Sequence, residues 1–140
     1  MVGIMKRSQL PPTLDDITAI GRAALASIPE ELRRHVGTVP IVVEEFPDER
    51  TEIDMELETP FDMLGLYRGV SLSRKSVLDV STDMDMIFLF RRPILDYWCE
   101  TGEDLADVVR NVLIHEIGHH FGLSDEDMDR LEDEADAEED

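Results

Sequence analysis

The chain has 140 residues, of which 42% are hydrophobic, and its 33 acids against 13 lysines and arginines give a formal net charge of -20. That length supports one domain with a real core and is short for two, and the charge disfavours nucleic acid as a partner. No apolar run reaches the roughly eighteen residues of a membrane span, "MVGIMKRSQLPPT" has no apolar stretch of a secretory signal, and the single Cys99 cannot form an internal disulfide, so a cytoplasmic setting without membrane contact is expected.

Residues 1–12 are expected to be disordered. "TLDDITAIGRAALASI" reads as a helix: Thr13 can cap it with Asp16 three residues on, and Ile17, Ile20, Ala24 and Ile28 share one face. Pro29 opens a short helical turn that Gly37 closes. "VPIVVEEF" is a β-branched run between prolines, which predicts a strand over 39–46. The polar stretch "PDERTEIDMELETP" gives no clear element. "MLGLYRGVSL" reads as a second strand, "RKSVLDVSTD" as a connector, and "MIFLF" at 86–90 as a short buried strand. "RRPILDYWCE" begins a short helix with Pro93 in its first turn.

The next helix has the strongest pattern. Thr101 and Asp104 form a T-x-x-D start signal, and "EDLADVVRNVLIHEIGHHF" runs on without proline. Leu105, Val108, Val109, Val112 and Ile117 supply a buried stripe. Gly122 is the natural stop, as a residue that takes positive φ. Ser124 can cap a further short helix, with Asp127 three residues later. From Ser124 to Asp140 there are eleven acids and one arginine, which predicts a solvated tail fraying beyond about residue 133. The expected organisation is therefore a single domain over 13–133, between disordered residues 1–12 and an acidic tail at 134–140.

"HEIGHHFGLSD", residues 115–125, holds three of the four histidines. His115 and His119 are four residues apart, so on a helix they lie about 40° apart and one turn above the other, within reach of one metal ion. Glu116 is offset by about 100°, suited to touching a water at the same ion as general base rather than to ligation. This is the H-E-x-x-H arrangement of zinc hydrolases. A catalytic zinc needs a third protein ligand. Asp125 arrives three residues after Gly122, and without a turn there it would lie about 200° from His119. The glycine and the aspartate thus explain one another. His120 points away from His119 and suits packing, and His35 has no expected role.

The string H115-E-x-x-H119-x-x-G122-x-x-D125 resembles the extended metzincin signature with aspartate as the third ligand. More closely, the chain resembles the small bacterial "minimal zincin" family of zinc metallopeptidases, with further similarity at "LGLYRGVSL" and "FLFRRPIL". The resemblance implies a compact α+β zincin-like domain, with a small mixed sheet packed on the active-site helix and an N-terminal helix. It also implies one zinc ion on His115, His119 and Asp125, and Glu116 as base. Metzincins carry a methionine-containing turn well downstream. Here Met128 follows Asp125 by three residues, so a separate turn is not expected.

The function expected is hydrolysis of a peptide or protein substrate by a zinc-activated water. An extended peptide would lie on the sheet's exposed edge strand, expected to be the one ending near Phe90. The alternatives are a non-catalytic zinc-binding module of the same fold and a metal-dependent amidase acting on a small molecule. Tyr67 and Tyr97 read as core or rim aromatics, either of which could donate to an oxyanion. Arg91 and Arg92 read as structural ion-pair residues, with binding of a substrate carboxylate as the alternative, and Trp98 as a packing anchor.

Overall fold

The computed structural model of the protein describes residues 10–36, 39–71 and 83–139. Six helices and three strands follow in the order α1 Leu14–Ser27, α2 Glu30–Val36, β1 Ile41–Glu44, α3 Glu49–Asp54, β2 Gly65–Ser71, β3 Asp83–Phe90, α4 Arg91–Thr101, α5 Leu105–His120 and α6 Asp125–Glu139, with a 3-10 turn at Pro60–Asp62. The sheet is mixed and ordered β1-β3-β2. β1 runs parallel to β3, with Ile41 opposite Ile87, and β2 runs antiparallel to it, with Tyr67 opposite Ile87. Among the described residues no helix is long and apolar enough to cross a membrane.

The helix starts follow local chemistry. Thr13 Oγ1 accepts from the Asp16 backbone N–H at 3.0 Å, while Asp16 accepts from the Thr13 N–H at 2.9 Å. This reciprocal pair satisfies two donors that the first turn would otherwise leave open. Ile17, Ala24 and Ile28 then turn inward as the periodicity predicts, with Ile20 packed against the core's margin. The polar stretch that gave no clear element is helical in part: Asp48 caps α3 by accepting from the Thr51 N–H at 2.7 Å.

α5 is the central element. α1, the sheet and α6 all pack against it, burying Val108, Val109, Leu113, Ile114 and Ile117. That layered α+β arrangement, with a mixed sheet and α1 on the helix carrying the histidines, is the fold class expected.

Four expectations need correction. The start of α5 is Asp104 alone, because Thr101 still belongs to α4 and Gly102, at φ 69°, closes that helix. β3, which ends at Phe90, is the central strand and not an edge; an apolar run signals burial, but lateral order is set by pairing. Disorder over 1–12 cannot hold for its last residues, since the Pro12 carbonyl accepts from Arg91 Nε at 2.6 Å; residues 1–9, Gly37 and the connector up to Thr82 lie outside the described residues.

The fourth correction concerns the acidic tail. α6 runs to Glu139 instead of fraying near 133. Met128, Leu131 and Ala135 are buried at spacings of three and four, which puts them on one face. Arg110, only 3% exposed on α5, forms an ion pair with Asp136, and Arg130 pairs with Glu31 of α2 at 3.0 Å. Three apolar side chains and these pairs hold a segment whose composition alone predicts solvation.

Candidate metal centre and adjoining cavity

α5 carries His115, Glu116 and His119 because nothing interrupts it before Phe121. Their order on the helix has the consequence expected from the spacing: the rings of His115 and His119 sit on one side, with centroids 6.0 Å apart. The chain then turns at Gly122, whose φ of 77° lies in the left-handed region that costs a residue with a Cβ about 1–2 kcal/mol. The Leu123 N–H donates to the Gly118 carbonyl at 2.8 Å and Gly122 N–H to His119 at 3.1 Å, closing the helix end. Ser124 Oγ accepts from the Asp127 N–H at 3.1 Å and α6 begins.

The turn makes α5 and α6 a helical hairpin, so late residues of one meet early residues of the other. Gly118 permits the close approach: a Cβ there would lie 2.6 Å from Met128 Sδ. Met128 is fully buried beneath the histidine-bearing turn. On the facing surface of α6, Asp125 and Glu132 are seven residues apart and therefore share a face. Asp125 Oδ1 lies 3.7 Å from His119 Nε2, with a side chain 90% exposed. Glu132 Oε1 lies 2.6 Å from His115 Nε2, with a side chain only 19% exposed. Burial pushes the Glu132 carboxyl above its usual range, opposed by His115 and assisted by the neighbouring Asp129.

Glu116 occupies a different environment. Burial raises its carboxyl above the usual value, while His119, a backbone hydrogen bond from Tyr67 and His115 pull in the opposite direction. The Tyr67 bond follows from the sheet. Phe90 N–H donates to the Leu64 carbonyl at 2.9 Å, so alternate residues of β2 bond to β3 and Tyr67 presents its N–H to the outer edge. The helix therefore lies where an edge-strand donor can orient its glutamate.

Other residues singled out from sequence have structural partners. The Tyr67 hydroxyl donates to Asp85 at 2.8 Å and its ring stacks on His120 at 4.0 Å; burial and Asp85 hold the phenol far above its usual value. His35 rests on Phe121, 4.9 Å between centroids. Arg91 pairs with Glu45 at 2.9 Å, and Arg92 lies 5.6 Å from the Phe46 ring centroid. Tyr97 lines a cavity with His115 and Glu116.

Two imidazole nitrogens and nearby carboxylates are the nitrogen and oxygen donors that zinc takes, so the donor chemistry fits that metal. Each imidazole faces its own carboxylate, however, and among the described residues no three such side chains converge on one point. Sequence reasoning missed Glu132 because the acidic composition after Ser124 predicts a solvated segment that frays and not a helix returning along α5. Glu134 pairs with Arg130 at 3.0 Å. The signal for Glu132 was present: it lies one turn beyond Met128 in a segment with apolar residues at 128, 131 and 135.

Compared with known proteins, residues 36–135 match the model of a family described as zincin-like metallopeptidase. No curated protein matches the chain.

Proposed function

Because the chain belongs to the zincin-like metallopeptidase family, we propose that it hydrolyses peptide bonds with one zinc ion held by His115, His119 and Asp125. Glu116 is the general base. The observation that carries this reading is the placement of Glu116: a half-buried carboxyl on the helical turn between the two histidines, lining the same cavity as His115. A structural metal site has no need of such a base.

When bound, zinc supplies Lewis-acid activation of water and of the substrate carbonyl. Glu116 accepts the proton of the attacking water and delivers it to the leaving amine. His115 and His119 would hold the metal, and Asp125, at the start of α6, can rotate towards His119 because its side chain is solvent-exposed. An extended substrate would lie along β2, the edge strand that meets α5.

The non-catalytic metal-binding reading has one observation in its favour. Glu132 contacts His115 Nε2 directly, so the imidazole has a carboxylate partner without any catalytic role. Zinc content and cleavage of a peptide library, with Glu116→Gln as control, test the proposal. One equivalent of zinc with cleavage abolished by Glu116→Gln supports the peptidase; one equivalent with no cleavage by wild type moves the assignment to the binding module.

A further inference from the structure

α5 and α6 meet at Gly118 and Met128, and the meeting is unusually close. A Cβ at position 118 would lie 2.6 Å from Met128 Sδ and 2.8 Å from its Cγ, well inside the roughly 3.5–4.0 Å at which non-bonded carbons rest. The methionine therefore sits on bare backbone. Both residues are buried, and Met128 has no exposed surface. The Leu123 N–H donates to the Gly118 carbonyl at 2.8 Å, so the reversal of the chain is tied to the same residue.

The contact stands in the middle of the candidate donors. On α5, His115 lies three residues before Gly118 and His119 one after it; on α6, Asp125 lies three residues before Met128 and Glu132 four after it. Side chains three and four residues apart share a helix face. The glycine and methionine thus lie between the two facing pairs, His119 with Asp125 at 3.7 Å and His115 with Glu132 at 2.6 Å. The separation of the helices at this point sets how far the α6 carboxylates stand from the imidazoles. Methionine is a flexible side chain, but its Cγ is placed by χ1 alone, which a helix restricts to two wells. Fully buried, it has no open side to swing into. A methyl group at 118 would move α6 and not the methionine alone.

We infer that Gly118 and Met128 are positioning residues of the metal centre: the methionine seated on the glycine backbone fixes the spacing of α5 and α6, and through it the reach from the two histidines to Asp125. The inference rests on the metal-centre part of the proposed function and not on peptide hydrolysis. Neither residue supplies a zinc ligand.

Three measurements test it. Zinc affinity is read by chelator competition, ligand geometry by the visible absorption of the cobalt-loaded protein, and stability by urea unfolding of the metal-free protein. Alanine is the better helix former, so Gly118→Ala gains stability unless its methyl is refused. It should lower the urea midpoint, alter the cobalt spectrum and weaken zinc binding about 10–100-fold, the range for groups that orient a ligand from outside the coordination shell. Gly118→Ala/Met128→Ala removes the opposing atoms. It should recover most of the affinity and the wild-type cobalt spectrum, although its midpoint stays below wild type because a buried side chain is lost. Val109→Ala is the control for stability alone. Val109 is buried nine residues before Gly118, about 180° round the helix, and its loss should lower the midpoint and leave affinity unchanged.

Gly118→Ala with wild-type affinity and spectrum overturns the inference, as does Val109→Ala losing zinc to the same extent. If Gly118→Ala does not fold, the double variant decides: zinc binding close to wild type upholds the spacing, and weak binding by the folded protein overturns it. A wild type that takes up neither zinc nor cobalt defeats the metal centre and the positioning role with it. Zinc uptake without peptide cleavage defeats the peptidase reading alone.

Discussion

Glu132 Oε1 lies 2.6 Å from His115 Nε2, a contact between residues seventeen apart in sequence that exists because α6 folds back along α5. Asp125 stands in the corresponding relation to His119, at 3.7 Å. The antiparallel hairpin therefore offers two carboxylates to two imidazoles, and the choice between them is experimentally decidable.

Asp125 is expected to be the acid that zinc selects. Its exposed side chain can reorient at little cost, whereas Glu132 is largely buried. His115→Ala and His119→Ala should reduce bound zinc from near one equivalent to near none, and Asp125→Ala should weaken affinity by more than the roughly 10–100-fold that loss of a ligand's supporting partner costs. Glu132→Gln should cost less than Asp125→Ala. Chelator competition on the four proteins gives the order; a larger loss for Glu132→Gln would transfer the third ligand to that residue.

Glu116→Gln should retain zinc and lower hydrolysis by at least about 10²-fold, the usual contribution of a positioned general base. Elemental analysis and single-turnover cleavage read the two effects separately. Loss of the metal along with the activity would place Glu116 among the ligands.

The same variant has a predicted pH signature in metal-free protein. Burial raises the Glu116 carboxyl above the usual 4.5, so the folded state holds the proton more tightly than the unfolded chain. The wild type is then relatively most stable below that usual value and loses stability as pH rises through the raised value in the fold. Glutamine has no charge to bury. Glu116→Gln should therefore match the wild type in acid and melt higher at neutral pH, as thermal scans across the two regimes will show. A constant difference at every pH would mean the carboxylate is not disfavoured by its surroundings.

Gly122→Val should destabilise the fold by about 1–2 kcal/mol, since a β-branched residue is penalised at φ 77°. It should also weaken zinc binding, because the turn aims Asp125. A variant at Gly21, a glycine of α1, is not a suitable control, as a Cβ there meets Leu89 at 3.0 Å; Arg50→Val, on the exposed surface of α3, is. Unchanged affinity in a folded Gly122→Val protein would show that the turn's conformation is dispensable to the centre.

Ending the chain after residue 133 removes Ala135 and Asp136, and leaves Arg110 buried without that carboxylate. Asp136 is half exposed and Asp107 remains near Arg110 at 3.3 Å, so the loss should be about 1–3 kcal/mol rather than that of a fully buried pair. Urea unfolding measures it. A truncated protein as stable as the full chain would mean that the last turns of α6 contribute nothing.

Sequence alone determined the local features. The Thr13 capping box, the inward face of α1, the one-turn spacing of His115 and His119, the offset of Glu116 and the left-handed Gly122 all depend on residues within one or two turns of each other, where backbone geometry fixes direction. Only the tertiary structure decided the rest. That β3 is central and β2 forms the edge depends on pairing between segments well separated in sequence, Ile41 with Ile87 and Tyr67 with Ile87, to which a run of apolar side chains is blind. That α6 is a packed helix depends on three side chains, Met128, Leu131 and Ala135, meeting a surface supplied by α5; composition averages them away among eleven acids. With α6 in place, Glu132 reaches His115 and a cavity forms between α4, α5 and the start of β2. Those contacts are set by the antiparallel return of one helix on another, and no spacing within a single helix encodes them.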